Sequence, residues 1–228
     1  MTKANEKTIV QELHKTKRNI NKEYKRGHII KSALIGIILG DASMTQPNML
    51  YIRHGARQLD YVNEKVDFLK DYMEPVSLRS SIDKKGYKYR YAYYRNRKLS
   101  YFYKIIYKNK RKTITPELLN HFDKISLAFL YMDDGSLSLR KYKDKNGNWT
   151  GSYKSREIYL CTHSFSLNEV KMFIKMLKDK FGLRFRMTLD KGRPRIWCNT
   201  KNTKKIIEIV RPFISKFKTM SYKLDLKY

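Results

Sequence analysis

Two apolar segments of this chain each run directly into a carboxylate, and no other feature constrains its fold as much. One is Leu34-Ile35-Gly36-Ile37-Ile38-Leu39-Gly40-Asp41-Ala42. The other is Leu127-Ala128-Phe129-Leu130-Tyr131-Met132-Asp133-Asp134-Gly135. Both read as buried helices ending in acid. A helix C-terminus carries partial negative charge, so an aspartate there is disfavoured by about a few tenths of a kcal/mol. The arrangement occurs twice, 93 residues apart (134 − 41), which calls for a compensating gain. Ala33, Gly36 and Gly40 on one segment, and Ser126 and Ala128 on the other, are small enough to let two helices pack closely. Side by side, such helices bring Asp41 and Asp134 together. Neighbouring carboxylates repel, and a hard divalent cation, Mg2+ or Mn2+, removes that cost through oxygen ligands. Such an ion can polarise a phosphodiester and activate water. Taken singly, either acid is an ordinary turn residue after a buried helix; taken together they point to a metal site.

The surrounding elements occur in the same order twice. After the first segment come a short strand over Met49–His54, a helix over Gln58–Met73 and a hairpin of Ser77–Ile82 with Tyr87–Arg95. In that helix Leu59, Val62, Val66, Leu69 and Met73 share a face. Leu99–Tyr107 is helical, and Thr115-Pro116-Glu117 opens another short helix. After the second segment, Leu137–Tyr142 and Ile158–Thr162 read as strands around a polar loop, Lys143–Lys154. A helix follows with a capping box at Ser166 and Glu169 and a stop at Gly182. A hairpin of Arg184–Leu189 with Arg195–Asn199 and a helix over Asn202–Val210, before Pro212, complete the repeat. The class expected is α+β, with two pseudo-symmetric αββαββα halves. The first half spans residues 28–120 and shows only one clear strand in its first pair; the second spans 121–228. Residues 1–27 form a basic N-terminal arm.

The chain has 228 residues, 50 Lys+Arg against 21 Asp+Glu, and a net charge of +29. The cations are spread along the whole length and interleaved with 18 tyrosines and 10 phenylalanines, so a polyanionic partner, nucleic acid, is expected. Strand alternation places Tyr87, Tyr89, Tyr91 and Tyr93 on one face, read as the face packed under helices, with Lys88 and Arg90 opposite. In the later hairpin Phe185, Met187 and Leu189 oppose Arg184 and Arg186. The cationic faces suit phosphates and base edges. Candidate DNA contacts are Arg53, Arg79, Lys88, Arg90, Arg140, Lys154, Arg156, Arg184, Arg186, Arg193, Arg195 and Asn199. The five histidines show no mutual ligand spacing and read as packed or phosphate-contacting residues; Cys161 and Cys198 read as buried thiols and Trp197 as packing. No apolar run reaches the ~18 residues of a membrane span. The N-terminus has no apolar signal region, so an intracellular, reduced protein is expected.

The two acidic segments resemble the motifs of the LAGLIDADG homing endonucleases. The second matches that pattern at Leu127, Ala128, Leu130, Asp134 and Gly135. The first matches at Leu34, Gly36, Ile38 and Asp41, with Ala42 where the pattern has Gly. Two motifs in one chain resemble the single-chain, I-SceI-like subgroup, as do Lys110–Pro116 and Met220–Leu224. The resemblance implies motif helices at the interface between halves, and two saddle-shaped antiparallel sheets straddling double-stranded DNA. It implies Asp41 and Asp134 as metal-binding catalytic acids, the carbonyls of Gly40 and Asp133 as further ligands, and Lys112 and Lys223 as basic residues that support catalysis. The function implied is metal-dependent double-strand cleavage of a long asymmetric target by a monomer, initiating intron or intein-type homing. Two alternatives on the same fold are a maturase that binds intron RNA and an inactive DNA-binding regulator. A mitochondrial matrix and a bacterial or phage-host cytoplasm fit equally.

Overall fold

The computed structural model describes residues 26–226. The N-terminal arm therefore lies almost wholly outside the described residues, apart from Arg26 and Gly27. Helix α1 (Arg26–Leu39) leads into strands β1 (Ser43–Gln46) and β2 (Met49–Gly55). Helix α2 (Leu59–Leu69), strands β3 (Ser77–Ile82) and β4 (Lys88–Arg95), and helix α3 (Leu99–Ile106) follow. A two-stranded ribbon, β5 (Tyr107–Lys108) and β6 (Arg111–Lys112), and helix α4 (Pro116–His121) lead to the second half. That half runs through α5 (Lys124–Asp134), β7 (Gly135–Lys143), β8 (Trp149–Cys161), α6 (Leu167–Phe181), β9 (Arg186–Asp190), β10 (Arg193–Cys198) and α7 (Thr200–Ile214). A 3-10 turn, Lys218–Leu224, closes it. The two four-stranded antiparallel sheets have matching orders, β1-β2-β4-β3 and β7-β8-β10-β9.

Helices α1 and α5 pack side by side and run in the same direction. Ser126 Oγ donates to the Ser32 carbonyl (2.8 Å) near their N-terminal ends, and Gly40 meets Asp133 at their C-terminal ends. Close approach requires the small residues. A Cβ on Gly36 would lie 2.3 Å from the Ser126 carbonyl oxygen, and one on Gly40 would lie 2.5 Å from Asp133 Cβ. Asp123 caps α5 with bonds from the Ile125 and Ser126 N–H groups, and its other oxygen accepts from Ser32 Oγ (2.7 Å). The parallel arrangement brings two negative helix ends together.

Several expectations are corrected. β1 is a strand, though only Met44 of its four residues is buried, which gives no alternation to read. Most of Lys143–Lys154 is strand: β7 and β8 continue as a long hairpin, leaving 144–148 as the turn. Helix α7 starts at Thr200 and runs through Pro212. In α2 the buried set is Tyr61, Val62, Lys65 and Leu69, whereas Leu59 and Val66 are only partly covered. The stripe is rotated because Lys65 is drawn inward to a partner.

The tyrosine face is inverted relative to expectation. Leu50, Ile52, His54, Ala92 and Tyr94 face the helices, and Tyr51, Arg53, Tyr89, Tyr91 and Tyr93 line the open face. Tyrosine satisfies alternation as well on a wet face as on a dry one. In the second sheet Pro194, Ile196 and Cys198 face inward, and Arg193, Arg195 and Trp197 outward. Met187 and Leu189 are on the inward side yet exposed, on edge strand β9.

Candidate active site and nucleic-acid face

Each acidic motif ends where a lysine caps its helix. The β5–β6 ribbon turns through Asn109 (φ 50°) and Lys110 (φ 60°), both left-handed. That turn delivers Lys112, whose Nζ donates to the Gly40 carbonyl (2.6 Å). Lys223 comes from the final 3-10 turn, anchored by buried Met220 and Leu224. Its Nζ donates to the carbonyls of Tyr131 (3.1 Å), Met132 and Gly135 (2.8 Å), so all three of its protons are committed. The Tyr131 and Met132 carbonyls lie at the end of α5, where Tyr131 also accepts from the Gly135 N–H, and Gly135 opens β7, so a charged donor ties the helix end to the strand. Burial lowers the pKa of both lysines, that of Lys223 to about 8.

The two halves meet at Asp133. Its side chain is fully buried. Oδ1 accepts from the equally buried Lys65 Nζ (2.7 Å) and from Tyr61 OH (2.8 Å); Oδ2 accepts from the Asp41 N–H (3.2 Å). Lys65 Nζ also reaches His54 Nε2 (2.9 Å) and lies 4.2 Å from the centre of the Tyr61 ring. On its other side His54 Nδ1 faces Asp41 Oδ2 at 3.6 Å. Burial, then the Lys65 charge, lowers the His54 pKa to about 4, so the ring is neutral near pH 7.

Asp41 and Asp134 are the acids left facing outward. Burial, then the Asp133 charge, raises the Asp41 pKa, against Lys65, Lys112 and Lys223. Burial, then the charges of Asp41 and Asp133, raises that of Asp134 to about 7. Asp41, His54 and Asp133 offer donor atoms within 4.8 Å of one another. Both oxygens of Asp133 are already bonded, and His54 Nε2 is bonded to Lys65. The carboxylates of Asp41 and Asp134, crowded at two negative helix ends, are the oxygen donors that fit a hard divalent cation. The structure thus brings Asp41, Asp134, Gly40, Asp133, Lys112 and Lys223 into one neighbourhood.

The sequence profile of the LAGLIDADG DNA endonuclease family spans residues 31–206. This chain belongs to that family. It is 27% identical over 221 residues to the "Probable intron-encoded endonuclease 1" of Wickerhamomyces canadensis, covering 89% of each chain. It is also 27% identical over 156 residues to the "Intron-encoded endonuclease ai4" of Dictyostelium discoideum, covering 67% of this chain and 87% of the relative. Its fold is similar to that of the homing endonuclease I-WcaI bound to its DNA recognition sequence, with a TM-score of 0.72, 25% identity and 92% of each chain covered.

In this LAGLIDADG protein the open sheet faces flank the acids. A groove on the first sheet is lined by Tyr87, Tyr89, Tyr51 and Arg53 and reaches Asp41. Arg53 lies over the Tyr89 ring (3.7 Å), Tyr51 stacks on Tyr93, and Arg79 pairs across from Tyr91. Lys88 borders the same groove. On the second sheet Arg195 lies over Tyr159 (4.4 Å), Arg140 reaches Tyr159 OH (3.4 Å) and Arg186 lies 5.8 Å from Trp197. Arg193 extends this row.

Other candidates are placed elsewhere. Arg90 is on the helix-facing side, bonded to Ser80 Oγ (3.4 Å). Arg156 is turned inward too: its Nε donates to the Leu226 carbonyl (2.7 Å). Asn199 caps α7, its amide oxygen accepting from the Asn202 N–H. Arg184 precedes β9; its backbone N–H donates to Asn202 Oδ1 (2.8 Å), and it lines a pocket together with Arg186, Trp197 and Asn199. Lys154 falls in β8 with its side chain outside the described ones. Sequence reasoning missed His54, Tyr61 and Lys65. The available signal was a lysine set between Val62 and Leu69 on an apolar helix face. Among the described residues no helix is long and apolar enough to cross a membrane, and both cysteines are free.

Proposed function

We propose that this chain is a site-specific DNA endonuclease that cuts both strands of a long, asymmetric duplex target by divalent-cation-assisted hydrolysis and so starts intron homing. The observation that carries this reading is the convergence of Asp41 and Asp134 with Lys112 and Lys223 at two helix ends, between two sheet faces bearing arginine and tyrosine. The likeness to the homing endonuclease I-WcaI, bound to its DNA recognition sequence, supports a duplex DNA partner for this chain as well.

Asp41 and Asp134 would hold Mg2+ (or Mn2+), with the Gly40 and Asp133 carbonyls as further candidate ligands. A bound divalent ion supplies Lewis acidity toward the scissile phosphate and lowers the pKa of water. The protein's own groups do the rest. The Arg and Tyr side chains of the two sheets position the duplex over the acids. Lys112, held through a single contact to Gly40, lends positive charge to the phosphorane as water attacks phosphorus and an ester oxygen leaves. Lys223 acts through its charge, because its protons are spent on α5. Base choice comes from the sheet side chains and from DNA deformation between the halves.

The test is a supercoiled plasmid carrying an intron-free insertion junction, incubated with MgCl2 or with EDTA. Linear product with Mg2+ alone is expected. Asp41→Asn and Asp134→Asn should retain duplex affinity and lose double-strand cutting. Uncut plasmid in both conditions, with tight binding of the intron RNA, would replace this reading with the maturase.

A further inference from the structure

The two acids have unequal surroundings. In the first sheet Tyr51 pairs with Ser43, two residues after Asp41; in the second, Tyr159 pairs with Ser136, two residues after Asp134. Tyr51 and Tyr159 therefore correspond, and three residues further along the chain His54, in β2, corresponds to Thr162, just past the end of β8. Both are buried. Thr162 turns its hydroxyl to the Pro194 carbonyl (2.8 Å), whereas His54 sits between Lys65 and Asp41.

An ammonium only donates, so the 2.9 Å contact from Lys65 Nζ makes His54 Nε2 the acceptor. The proton of the neutral ring is then on Nδ1, the nitrogen facing Asp41 Oδ2 at 3.6 Å. That separation is longer than a hydrogen bond, and the Gln58 side chain is a further hydrogen-bond partner of His54, yet the N–H dipole still favours one orientation of the carboxylate. Lys65 is fixed in turn by Asp133, which accepts from the Asp41 N–H through its other oxygen. A chain of contacts thus runs from the second motif, through Lys65 and His54, to the acid of the first.

We infer that His54 is a positioning residue for Asp41, held in its Nδ1–H tautomer by Lys65, and that the replacement of this histidine by Thr162 in the second half makes the two strand-cutting centres inequivalent. This rests on the nuclease reading above and extends it to the order of strand cleavage. His54 orients the Asp41 carboxylate toward the cation site; at the matching position beside Asp134, Thr162 bonds the Pro194 carbonyl instead. Outer-shell partners that orient a metal ligand are worth about ten- to hundredfold in affinity or rate.

The first test needs neither metal nor DNA. Imidazole 15N–1H correlations of the free protein should show His54 as the Nδ1–H tautomer, and Lys65→Met should move the proton to Nε2. An Nε2–H tautomer in the unaltered protein overturns the inference. The second test follows nicked and linear plasmid in Mg2+. His54→Ala should slow one strand about tenfold or more, so that nicked circles accumulate. His54→Asn, whose amide nitrogen takes the place of Nδ1–H, should restore much of the rate; Thr162→Val should leave the ratio of the two strand rates unchanged. Equal slowing of both strands by His54→Ala, or no rescue by His54→Asn, contradicts it. The two readings fail separately: a protein that shows the expected tautomer and cuts no plasmid refutes the nuclease assignment, and with it the inequivalence, while leaving the His54–Lys65 geometry standing.

Discussion

A buried carboxylate needs a cation, and at Asp133 that cation is Lys65. Both side chains are wholly buried, and Tyr61 OH and the Asp41 N–H complete the bonding. Removing one partner of such a pair leaves an uncompensated charge, which costs about 3–5 kcal/mol. Lys65→Met should therefore lower unfolding stability by about that much in chemical denaturation, although the side chain is of similar length. Asp134 has the opposite character. Its pKa is raised from the ordinary 3.8 to about 7, so its charged form is disfavoured in the fold. The penalty is absent below about pH 4, grows as pH rises, and is complete above about pH 7. Asp134→Asn should consequently stabilise the cation-free protein by roughly 1–3 kcal/mol above neutrality. The gain should vanish near pH 4 while cleavage is lost throughout. Thermal midpoints of both proteins across that pH range check the sign.

At the scale of elements, the turn that delivers Lys112 puts Lys110 at φ 60°, which a side chain adopts at a cost. Lys110→Gly should stabilise the protein by about 1 kcal/mol, read as a higher thermal midpoint. Glu169 ties the same segment to α6. It accepts from the Ile114 N–H (3.0 Å), Arg111 (3.1 Å) and the Ser166 N–H (2.7 Å). Burial would raise its pKa, but these bonds outweigh it and hold the carboxyl below its usual value. Glu169→Ala should cost about 1–3 kcal/mol near neutrality, with the difference shrinking as acid protonates the wild-type carboxyl. What could be read from the chain follows its locality. The Ser166–Glu169 box and the Gly182 stop, at φ 65°, are contained within one helix and were legible. Small residues on two apolar helices announced the α1–α5 contact. Strand β1 has one buried residue and could not be seen alone. The tyrosine face was misassigned because alternation reports a face and not which side is wet. Lys65 was missed because its partner lies 68 positions away, and Arg156 was read as a DNA contact because nothing near it in sequence announces the Leu226 carbonyl that claims it.

The chain carries a net charge of +29, and arginines line both open sheet faces. Duplex affinity should therefore fall steeply with salt, by about 10³-fold or more between 50 and 200 mM if six or more phosphates are engaged. Fluorescence anisotropy across that range measures it. Parallel packing of α1 and α5 sets two carboxylates at two negative helix ends, and the fold leaves that charge open on the side of the sheets. The most direct measurement of that centre is a calorimetric Mg2+ titration of the protein on duplex carrying the intron-free junction, repeated for Asp41→Asn and Asp134→Asn. The account predicts cation binding in the wild type that weakens sharply in either variant. Unchanged Mg2+ binding in both variants would contradict it.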